Sequence, residues 1–404
     1  MKKYSINISL ALLTALTVLA ACSQADDPVI PDDDRYSITF STGDATEQVT
    51  RADGSTSGLE TLGFNEIYVY GYKTLGSDIQ NVMPGYTLRY VANTANSTTS
   101  NSSDWEYVGL TDSFGNPVKD YTGNVQEIKY WDGNSTNYSF FGVLPGDKDK
   151  LKYNGAAITS STTIDASNSF TMVFDNLTYM TRDKAGKYYT EGNTANEVDE
   201  KDIPMYGTMW HGVPSTSYNT PVTLSFAKPY ALVRIVFVRA DGTSTTQLGD
   251  GSQKSATFYP KTGTSISGKG SVSVSWAMNG NGETATATAS STTTFPQMEF
   301  DPMTLDQPDI RYQAWPEYLM IPTDNAASSV DYECKVYVKQ ADTSASTTGY
   351  EERTALIPSA FTHWKAGYEY TYVFKIAFNN SMEFSHVVET YTKWQAGYTD
   401  TTTW

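Results

Sequence analysis

The stretch HWKAGYEYTYVFKIAF, from His363 to Phe378, decides the fold class. Between Tyr368 and Phe378 an aromatic or branched residue occupies every second position, while polar residues such as Glu369 and Lys375 lie between them. Successive side chains of a strand point to opposite faces of a sheet, so this alternation predicts a β-strand with one buried face.

The same two-residue period recurs along the chain. Tyrosine contributes 29 residues, helix-period patterns are scarce, and Gly, Ser, Thr and Asn fill the gaps between short apolar runs. We therefore predict an all-β protein. The further predicted strands are Tyr36–Phe40, Ile67–Tyr72, Tyr86–Tyr90, Lys129–Trp131, Tyr138–Pro145, Phe170–Phe174, Val222–Phe226, Ala231–Val238, Val272–Trp276 and Tyr332–Lys339.

Length and charge limit the organisation and the partners. A chain of 404 residues is long enough for two domains, and a linker rich in Pro, Ser and Asn at Val213–Pro221 predicts domains at 36–217 and 218–404. We expect a charged loop at Thr181–Asp202. With 28 basic against 45 acidic residues the net charge is -17, which argues against nucleic acid as a partner.

The N-terminus carries an export signal, residues 1–21. Lys2 and Lys3 precede an apolar run, Ile8–Ala21, that has the length of a signal-peptide core. The end of this run, Leu19–Cys22, resembles a bacterial lipobox, in which the cysteine sulfur receives lipid. Cys22 is therefore the predicted membrane anchor, and an ordinary signal peptide that carries a cysteine is the alternative.

Residues 22–35 form an acidic tether. Five aspartates and two prolines lie between Asp26 and Asp34, a composition that cannot build a core. The first residues after Cys22 resemble the acidic export signals of surface-displayed lipoproteins. A merely solvated tether is the alternative interpretation.

One strand and one arginine follow the tether. Tyr36, Ile38 and Phe40 alternate with small polar residues and predict a half-buried strand, here called the leader strand. The polar stretch after it presents Arg51, which a trypsin-like protease could reach. The alternative is that Arg51 is an ordinary solvated loop residue.

The C-terminal tail, 382–404, is predicted strand material without a sequence-adjacent partner, so it needs an acceptor. Its second half repeats the WxAGY motif that precedes the strand after Tyr368. The residues of this candidate donor strand are Met382, Phe384, His386, Val388, Trp394, Tyr398 and Trp404.

The sequence gives no signal for an enzyme, a cofactor or a metal. The three histidines, His211, His363 and His386, have no metal-ligand spacing. Turn chemistry explains the Asp-Gly loops at 146–149 and 249–251 better than calcium does. Cys334 alternates with apolar residues and is predicted to be a core residue, not a nucleophile.

Together these segments resemble the fimbrillin family, the type V pilus subunits and related surface lipoproteins of anaerobic Gram-negative bacteria. The resemblance covers nearly the whole chain. Its motifs are the lipobox at Cys22, Val49–Ala52, KYWDGNSTNYSFFGVLP at Lys129–Pro145, IPMYG at Ile203–Gly207, VTLSFAKPYALVRIVFV at Val222–Val238 and HWKAGYEYTYVFKI at His363–Ile376. Lys228 and Pro229 depart from a smooth strand pattern.

The resemblance implies two tandem transthyretin-like β-sandwiches and a precursor held in the outer membrane by lipid on Cys22. It also implies an arginine-specific protease that cuts between Arg51 and Ala52 and so releases the leader strand (residues 36–51 of the first domain). The terminal strand of another pilus subunit then refills the groove, and the protein is located in a cell-surface pilus.

Two functions follow as hypotheses. The first is a structural and adhesive pilus subunit that polymerises by donor-strand exchange. The second is an uncleaved surface lipoprotein that serves as a pilus anchor or tip, or binds a glycan or a host protein through loops rich in Tyr and Trp. A glycan hydrolase is a distant third.

Overall fold

The computed structural model describes most of the chain between residues 36 and 390. The described residues are 36–42, 59, 63–91, 104–144, 152–153, 156–157, 169–240, 245–261, 266–278, 282–289, 294–295, 297–323, 330–339, 349–377 and 382–390. The sequence predictions for Cys22, Arg51, Ala52, Trp394, Tyr398 and Trp404 lie outside these residues. Within them, no helix is long and apolar enough to span a bilayer.

The first half of the chain is built from short and medium-length strands. They are β1 Phe40–Thr42, β2 Glu66–Leu75, β3 Asp78–Tyr90, β4 Trp105–Glu106, β5 Asn137–Leu144, β6 Lys152–Tyr153, β7 Ala156–Ala157, β8 Ser169–Thr178, β9 Met180–Arg182, β10 Tyr188–Thr190, β11 Glu197–Val198, β12 Met205–Gly207 and β13 Trp210–Gly212.

One short helix, α1 Pro214–Ser217, and a 3-10 turn at Glu200–Asp202 precede the second half, which holds another 3-10 turn at Ser359–Phe361. Its strands are β14 Val222–Leu224, β15 Phe226–Ala227, β16 Ala231–Arg239, β17 Thr246–Leu248, β18 Ala256–Pro260, β19 Ile266–Ser267, β20 Lys269–Ala277, β21 Gly282–Ala289, β22 Thr294–Phe295, β23 Met298–Phe300, β24 Met303–Leu305, β25 Arg311–Met320, β26 Tyr332–Lys339, β27 Tyr350–Ile357, β28 Glu369–Ile376 and β29 Met382–Thr390. The prediction of a β fold is confirmed.

Within the described residues, four sheets of three to seven strands hold most of these strands, and three two-stranded sheets are formed by β1 and β14, by β6 and β7, and by β19 and β22. Sheet A has the order β15-β12-β5-β2-β3-β4 with β13 beside β5, and sheet B has the order β21-β20-β8. Sheet C has the order β11-β10-β9-β25-β16-β28-β29, and sheet D has the order β23-β18-β26-β17-β24 with β27 beside β26. Strand β1 pairs separately with β14.

Sheets C and D pack face to face over one apolar core. The strand that decides the fold class, β28, contributes Tyr372 and Phe374 to this core, and sheet D contributes Phe258, Cys334 and Val336. Two sheets that bury alternate side chains between them form a β-sandwich. Burial raises the pKa of the Cys334 thiol, as expected of a core residue that takes no part in chemistry.

Sheet A buries both of its faces. Tyr68, Tyr70 and Tyr72 point to one face and contact sheet B, whereas Val69 on the opposite face belongs to a second core. On that opposite face the chain needs glycine at position 71, because a Cβ there would lie 2.5 Å from the ring of Phe140. The second core is the one that receives the leader strand.

Strands on either side of residue 217 pair with each other. Strand β14 pairs with β1, β15 with β12, β20 with β8, and β25 with β9. Sheets A, B and C therefore each contain strands from both halves of the sequence. The domain boundary between residues 217 and 218 stays a prediction.

The prediction of a charged loop at Thr181–Asp202 is wrong. These residues supply β10, β11 and most of β9, which extend sheet C at one edge. The charged composition of this segment indicates a solvated loop. Arg182 is nevertheless buried, and its charge is balanced by an ion pair with Glu317. At Lys228 and Pro229 the chain leaves the strand conformation between β15 and β16, which accounts for the irregular pattern in the sequence.

Candidate functional site: the leader groove

The leader strand lies in a groove of the second core. Ile38 and Phe40 are fully buried, whereas Ser37, Thr39 and Ser41 on the other face are half-buried. This is the two-residue period that the sequence predicts. We call the receiving surface the leader groove, which is formed by Trp105, Tyr107, Lys129–Trp131, Phe140 and Val222–Leu224.

Backbone hydrogen bonds hold the leader strand on both sides. On one side the amide of Ile38 donates to the carbonyl of Lys129 over 2.8 Å, and the amide of Trp131 donates to the carbonyl of Tyr36 over 3.0 Å. On the other side the amide of Val222 donates to the carbonyl of Thr39 over 2.7 Å. Strand β14 runs parallel to β1 there, with Val222 opposite Phe40. The leader strand is therefore an inner strand.

Aromatic rings form the floor of the groove. The ring of Phe40 meets the ring of Phe140 edge-on at 5.5 Å and that of Tyr107 edge-on at 6.0 Å, measured between ring centroids. Edge-to-face pairs add to the free energy gained by burying apolar surface. Phe40 is thus the principal apolar anchor of the leader strand.

Two polar side chains of the groove also bind the leader strand. The hydroxyl of Tyr107 donates to the carbonyl of Ile38 over 2.9 Å and lies 3.2 Å from the amide of Lys129, which donates to it. Burial raises the pKa of Tyr107, so its hydroxyl stays a neutral donor. The indole Nε1 of Trp105 donates to the hydroxyl of Thr42 over 3.2 Å.

At the start of the leader strand, two tyrosines stack. The rings of Tyr36 and Tyr218 lie 4.5 Å apart with an angle of 16° between their planes. Tyr36 remains 40% exposed, so it covers the mouth of the groove and contributes less to the core than Phe40 does.

The groove binds an extended strand by its backbone groups and by two apolar pockets. Without the leader strand, the amides of Val222 and Trp131 and the carbonyl of Lys129 lose their backbone partners, and the pockets of Ile38 and Phe40 open. Such a surface is a template for another extended segment. Within the described part of the chain, no three His, Cys, Asp or Glu side chains are grouped so that they could hold a metal ion.

The candidate donor segment is only partly described. Residues Met382–Thr390 form β29, which pairs antiparallel with β28 of the same chain. Met382 is buried, and Phe384 packs against Phe361 and Phe374. The expectation that this part of the tail has no partner in its own chain is thus corrected, because β29 follows β28 closely enough to form a hairpin. His386 and Val388 lie in β29, but their side chains are outside the part of the chain that the structure describes.

The sequence analysis missed the residues that build the groove. Trp105, Tyr107 and Phe140 lie far from Phe40 along the chain, and only the folded structure brings them together. The run of aromatic residues at Lys129–Leu144 is a signal for Phe140 alone, and it predicts a core strand. His211 is a structural residue whose Nδ1 lies 2.9 Å from the hydroxyl of Ser139, and burial lowers its pKa.

Comparison with known proteins finds similar solved structures but no sequence family. No family model and no curated protein sequence matches it. It is similar to a solved fimbrial protein from Bacteroides vulgatus, with 14% identity, 88% of this chain and 98% of that chain covered, and a TM-score of 0.41. It is also similar to the tip fimbrial protein Mfa3 from Porphyromonas gingivalis, solved with a C-terminal truncation, with 8% identity, 81% and 93% covered, and a TM-score of 0.33.

These proteins are of the class that the sequence motifs resemble. The chain has structural similarity to fimbrial proteins of the Bacteroidales.

Proposed function

We propose that this chain is a structural and adhesive subunit of a cell-surface fimbria that polymerises by donor-strand exchange. The precursor is exported as a lipoprotein and held in the outer membrane through lipid on Cys22. An arginine-specific protease then cuts between Arg51 and Ala52. The leader strand leaves its groove, and the terminal segment of another subunit takes its place.

The observation that carries this proposal is the way in which the leader strand is bound in its groove. It has backbone partners on both sides, yet it is joined to the rest of the chain only through the segment that contains Arg51. After cleavage, only non-covalent contacts retain it. Burial of Ile38 and Phe40 contributes about 1.5–3 kcal/mol each, so a longer strand with more apolar residues can displace it.

The donor strand comes from the tail, 382–404. Since Met382 and Phe384 already pack within their own chain, the part that is given to a neighbour lies beyond Thr390 and includes Trp394, Tyr398 and Trp404. The sandwich of sheets C and D supports the proposal of two tandem transthyretin-like domains. Most of its strands come from residues 218–404, and β9, β10 and β11 extend it at one edge.

The N-terminus of the assembled form tests this function. Mass spectrometry of isolated fibres should find Ala52 as the first residue, and Arg51→Ala should block assembly. Arg35→Ala is the matched control, because Arg35 precedes the leader strand and its replacement should leave assembly unchanged. Fibres whose subunits retain a lipidated Cys22 would contradict the proposal.

A second candidate function is an uncleaved anchor or tip. It is favoured by the complete burial of Ile38 and Phe40 and by the hydrogen bonds on both edges of the leader strand, which make a stable precursor. In that case Arg51→Ala leaves surface display and the binding of a glycan or host protein unchanged.

A further inference from the structure

Strand β21, Gly282–Ala289, lies at one edge of sheet B. It pairs antiparallel with β20 along its whole length, and the register does not shift anywhere between them. Among the described strands, β20 is its only neighbour. The outer edge of β21 is therefore a template on which a further strand can form backbone hydrogen bonds.

Other long edge strands in the described part of the chain are protected against such pairing. Strand β8 carries Asp175, and its register against β20 shifts at a bulge. Strand β27 carries Glu351 and Arg353, and β29 carries Glu383 and Glu389. Charged side chains and bulges are the usual means by which proteins keep the edges of their sheets from pairing with other chains.

The central part of β21 lacks this protection. Between Lys269 and Glu299 the sequence contains one charged residue, Glu283, and residues 284–289 are three repeats of Thr-Ala. The carboxylate of Glu283 accepts a hydrogen bond from the amide of Met209 over 2.8 Å, which holds it against its own chain. The edge after Glu283 is thus straight and uncharged and has only small side chains, which favours pairing.

The two faces of β21 differ in their surroundings. Ala285 and Ala287 pack against the core that sheets A and B share, whereas Thr284, Thr286 and Thr288 are exposed. Successive side chains of a strand alternate between the faces of its sheet. A strand added at this edge must therefore place small side chains on the inner face and can place hydroxyl groups on the outer one.

Hydroxyl groups already meet across strands on the outer face of sheet B. Oγ1 of Thr171 on β8 lies 2.9 Å from Oγ of Ser275 on β20, and Ser275 lies opposite Thr284. Opposed hydroxyl residues stabilise neighbouring strands. A second strand with the Thr-Ala pattern continues this arrangement, and β21 itself has that pattern.

The net charge also favours a second copy of this chain at the edge. Each copy has a net charge of -17, so two copies repel one another over most of their surfaces and approach most closely where charge is absent. The edge of β21 is such a place. A basic partner would gain more from the acidic remainder of the surface than from a neutral edge.

The alternation specifies the register of such a pair. In an antiparallel pair centred on Thr286, this residue lies opposite its counterpart in the second copy, and Thr284 lies opposite Thr288. The two copies of Glu283 then lie at opposite ends of the pair, roughly 20 Å apart, where salt screens their repulsion. A parallel pair would bring them together, so the antiparallel arrangement is favoured.

We propose that β21 pairs antiparallel with β21 of a second copy of this chain, so that the two copies of sheet B join into one continuous sheet. The inference goes beyond the proposed function, because it requires neither cleavage at Arg51 nor a donor strand. It provides a lateral contact between chains, whether they are uncleaved precursors or subunits of neighbouring fibres.

The uncleaved full-length chain tests this pairing. Sedimentation equilibrium should find a reversible dimer, and Thr286→Lys should weaken it on the order of tenfold, because two lysines would lie opposite each other at the centre of the pair. Thr171→Lys is the matched control, since it adds the same charge to an exposed position on the same face of sheet B, but at its other edge. It should dimerise as the wild type does, and circular dichroism checks the fold of both variants.

Cysteine cross-linking tests the register. Thr286→Cys should form a disulfide-linked dimer under mild oxidation, because directly opposed residues of two strands lie within the Cα separation that a disulfide spans. Thr284→Cys should not cross-link, because Thr288 lies opposite it, and the wild-type chain shows the background from Cys22.

Three results would overturn the inference: a monomeric wild-type chain, equal weakening by Thr286→Lys and Thr171→Lys, or equal cross-linking of the two cysteine variants. Strand exchange is measured separately, on the cleaved chain, and stands or fails independently of these results.

Discussion

Phe40 and Tyr36 belong to the same strand but serve it differently. The phenyl ring of Phe40 is fully buried against Phe140 and Tyr107, whereas Tyr36 stacks on Tyr218 at the groove mouth and keeps 40% of its surface exposed. The buried side chains of the leader strand, Phe40 among them, therefore stabilise its binding more than Tyr36 does, which can be tested directly.

Phe40→Ala should lower the free energy of unfolding of the uncleaved chain by about 3–5 kcal/mol, because it leaves a cavity among rigid aromatic neighbours. Tyr36→Ala is the control and should cost only about 1 kcal/mol, the contribution of one exposed aromatic pair. Urea unfolding followed by tryptophan fluorescence measures both. Equal losses for the two variants would mean that the leader strand is not anchored at Phe40.

At the scale of single residues, the sequence predicts which side chains of the leader strand are buried. It does not predict which residues form the groove around them. The alternation of Tyr36, Ile38 and Phe40 identifies the buried face from local information alone. Tyr107 cannot be found in this way, since its hydroxyl bonds to a backbone carbonyl 69 positions away along the chain. The alternation of Trp105 and Tyr107 is too short to predict such a contact.

Among the elements, β16 and β25 are notable for carrying charges inside sheet C. Arg234 on β16 donates from Nε to Glu317 on β25 over 2.7 Å and also pairs with Glu369 on β28. Arg182 on β9 donates to the other oxygen of Glu317 over 3.1 Å. All four side chains are buried, so each charge is balanced by its neighbours and not by water.

Glu317→Gln should destabilise the chain by about 3 kcal/mol at neutral pH, because it leaves two buried arginines without their shared carboxylate. Burial alone would raise the pKa of Glu317, but the charges and hydrogen bonds of Arg234 and Arg182 outweigh it and hold the pKa below its usual value. The stabilisation is then present above about pH 4.3, the usual glutamate value, and is lost as the pH falls through the lower folded-state pKa.

Urea unfolding between pH 7 and pH 3 checks this expectation. The wild-type chain should lose stability in the acid range, and Glu317→Gln should show a smaller loss there. Glu383→Gln serves as a control because Glu383 lies on an exposed position of β29 in the same sheet. An unchanged pH dependence in Glu317→Gln would show that the cluster contributes nothing to acid sensitivity.

Prediction from sequence succeeds for elements with a strong period and fails for short charged ones. Strand β28 was predicted from its alternation and is confirmed. Strands β10 and β11 were predicted as loop, since a strand of two or three residues shows no period and its charges suggest solvent. Pairing between β8 and β20 joins segments about a hundred residues apart, and no local pattern indicates it.

In the whole molecule, the leader groove and β29 belong to different parts of the fold. One segment of chain, from β14 to β16, connects them. Strand β14 forms one side of the groove, β15 joins sheet A, and β16 continues into sheet C beside β28, which holds β29. The leader strand, whose removal is proposed, and the start of the proposed donor segment are thus parts of one continuous framework.

Two truncations distinguish β29, which pairs within its own chain, from the segment after Thr390, which is the proposed donor strand. A chain ending at Thr390 retains β29 and should unfold at the same urea concentration as the full chain. A chain ending at Ala377 loses β29, and with it the buried Met382 and the packing of Phe384, so it should be at least about 3 kcal/mol less stable. It also exposes the edge of β28.

After cleavage at Arg51, the chain ending at Thr390 should remain monomeric, because it has an open leader groove but no donor strand. Size-exclusion chromatography of the cleaved samples measures this, with the cleaved full chain as the positive control. Polymers formed by the chain ending at Thr390 would place the donor within β29 or elsewhere in the body of the protein. In that case β29 would have to leave β28 before it could enter a neighbour's groove.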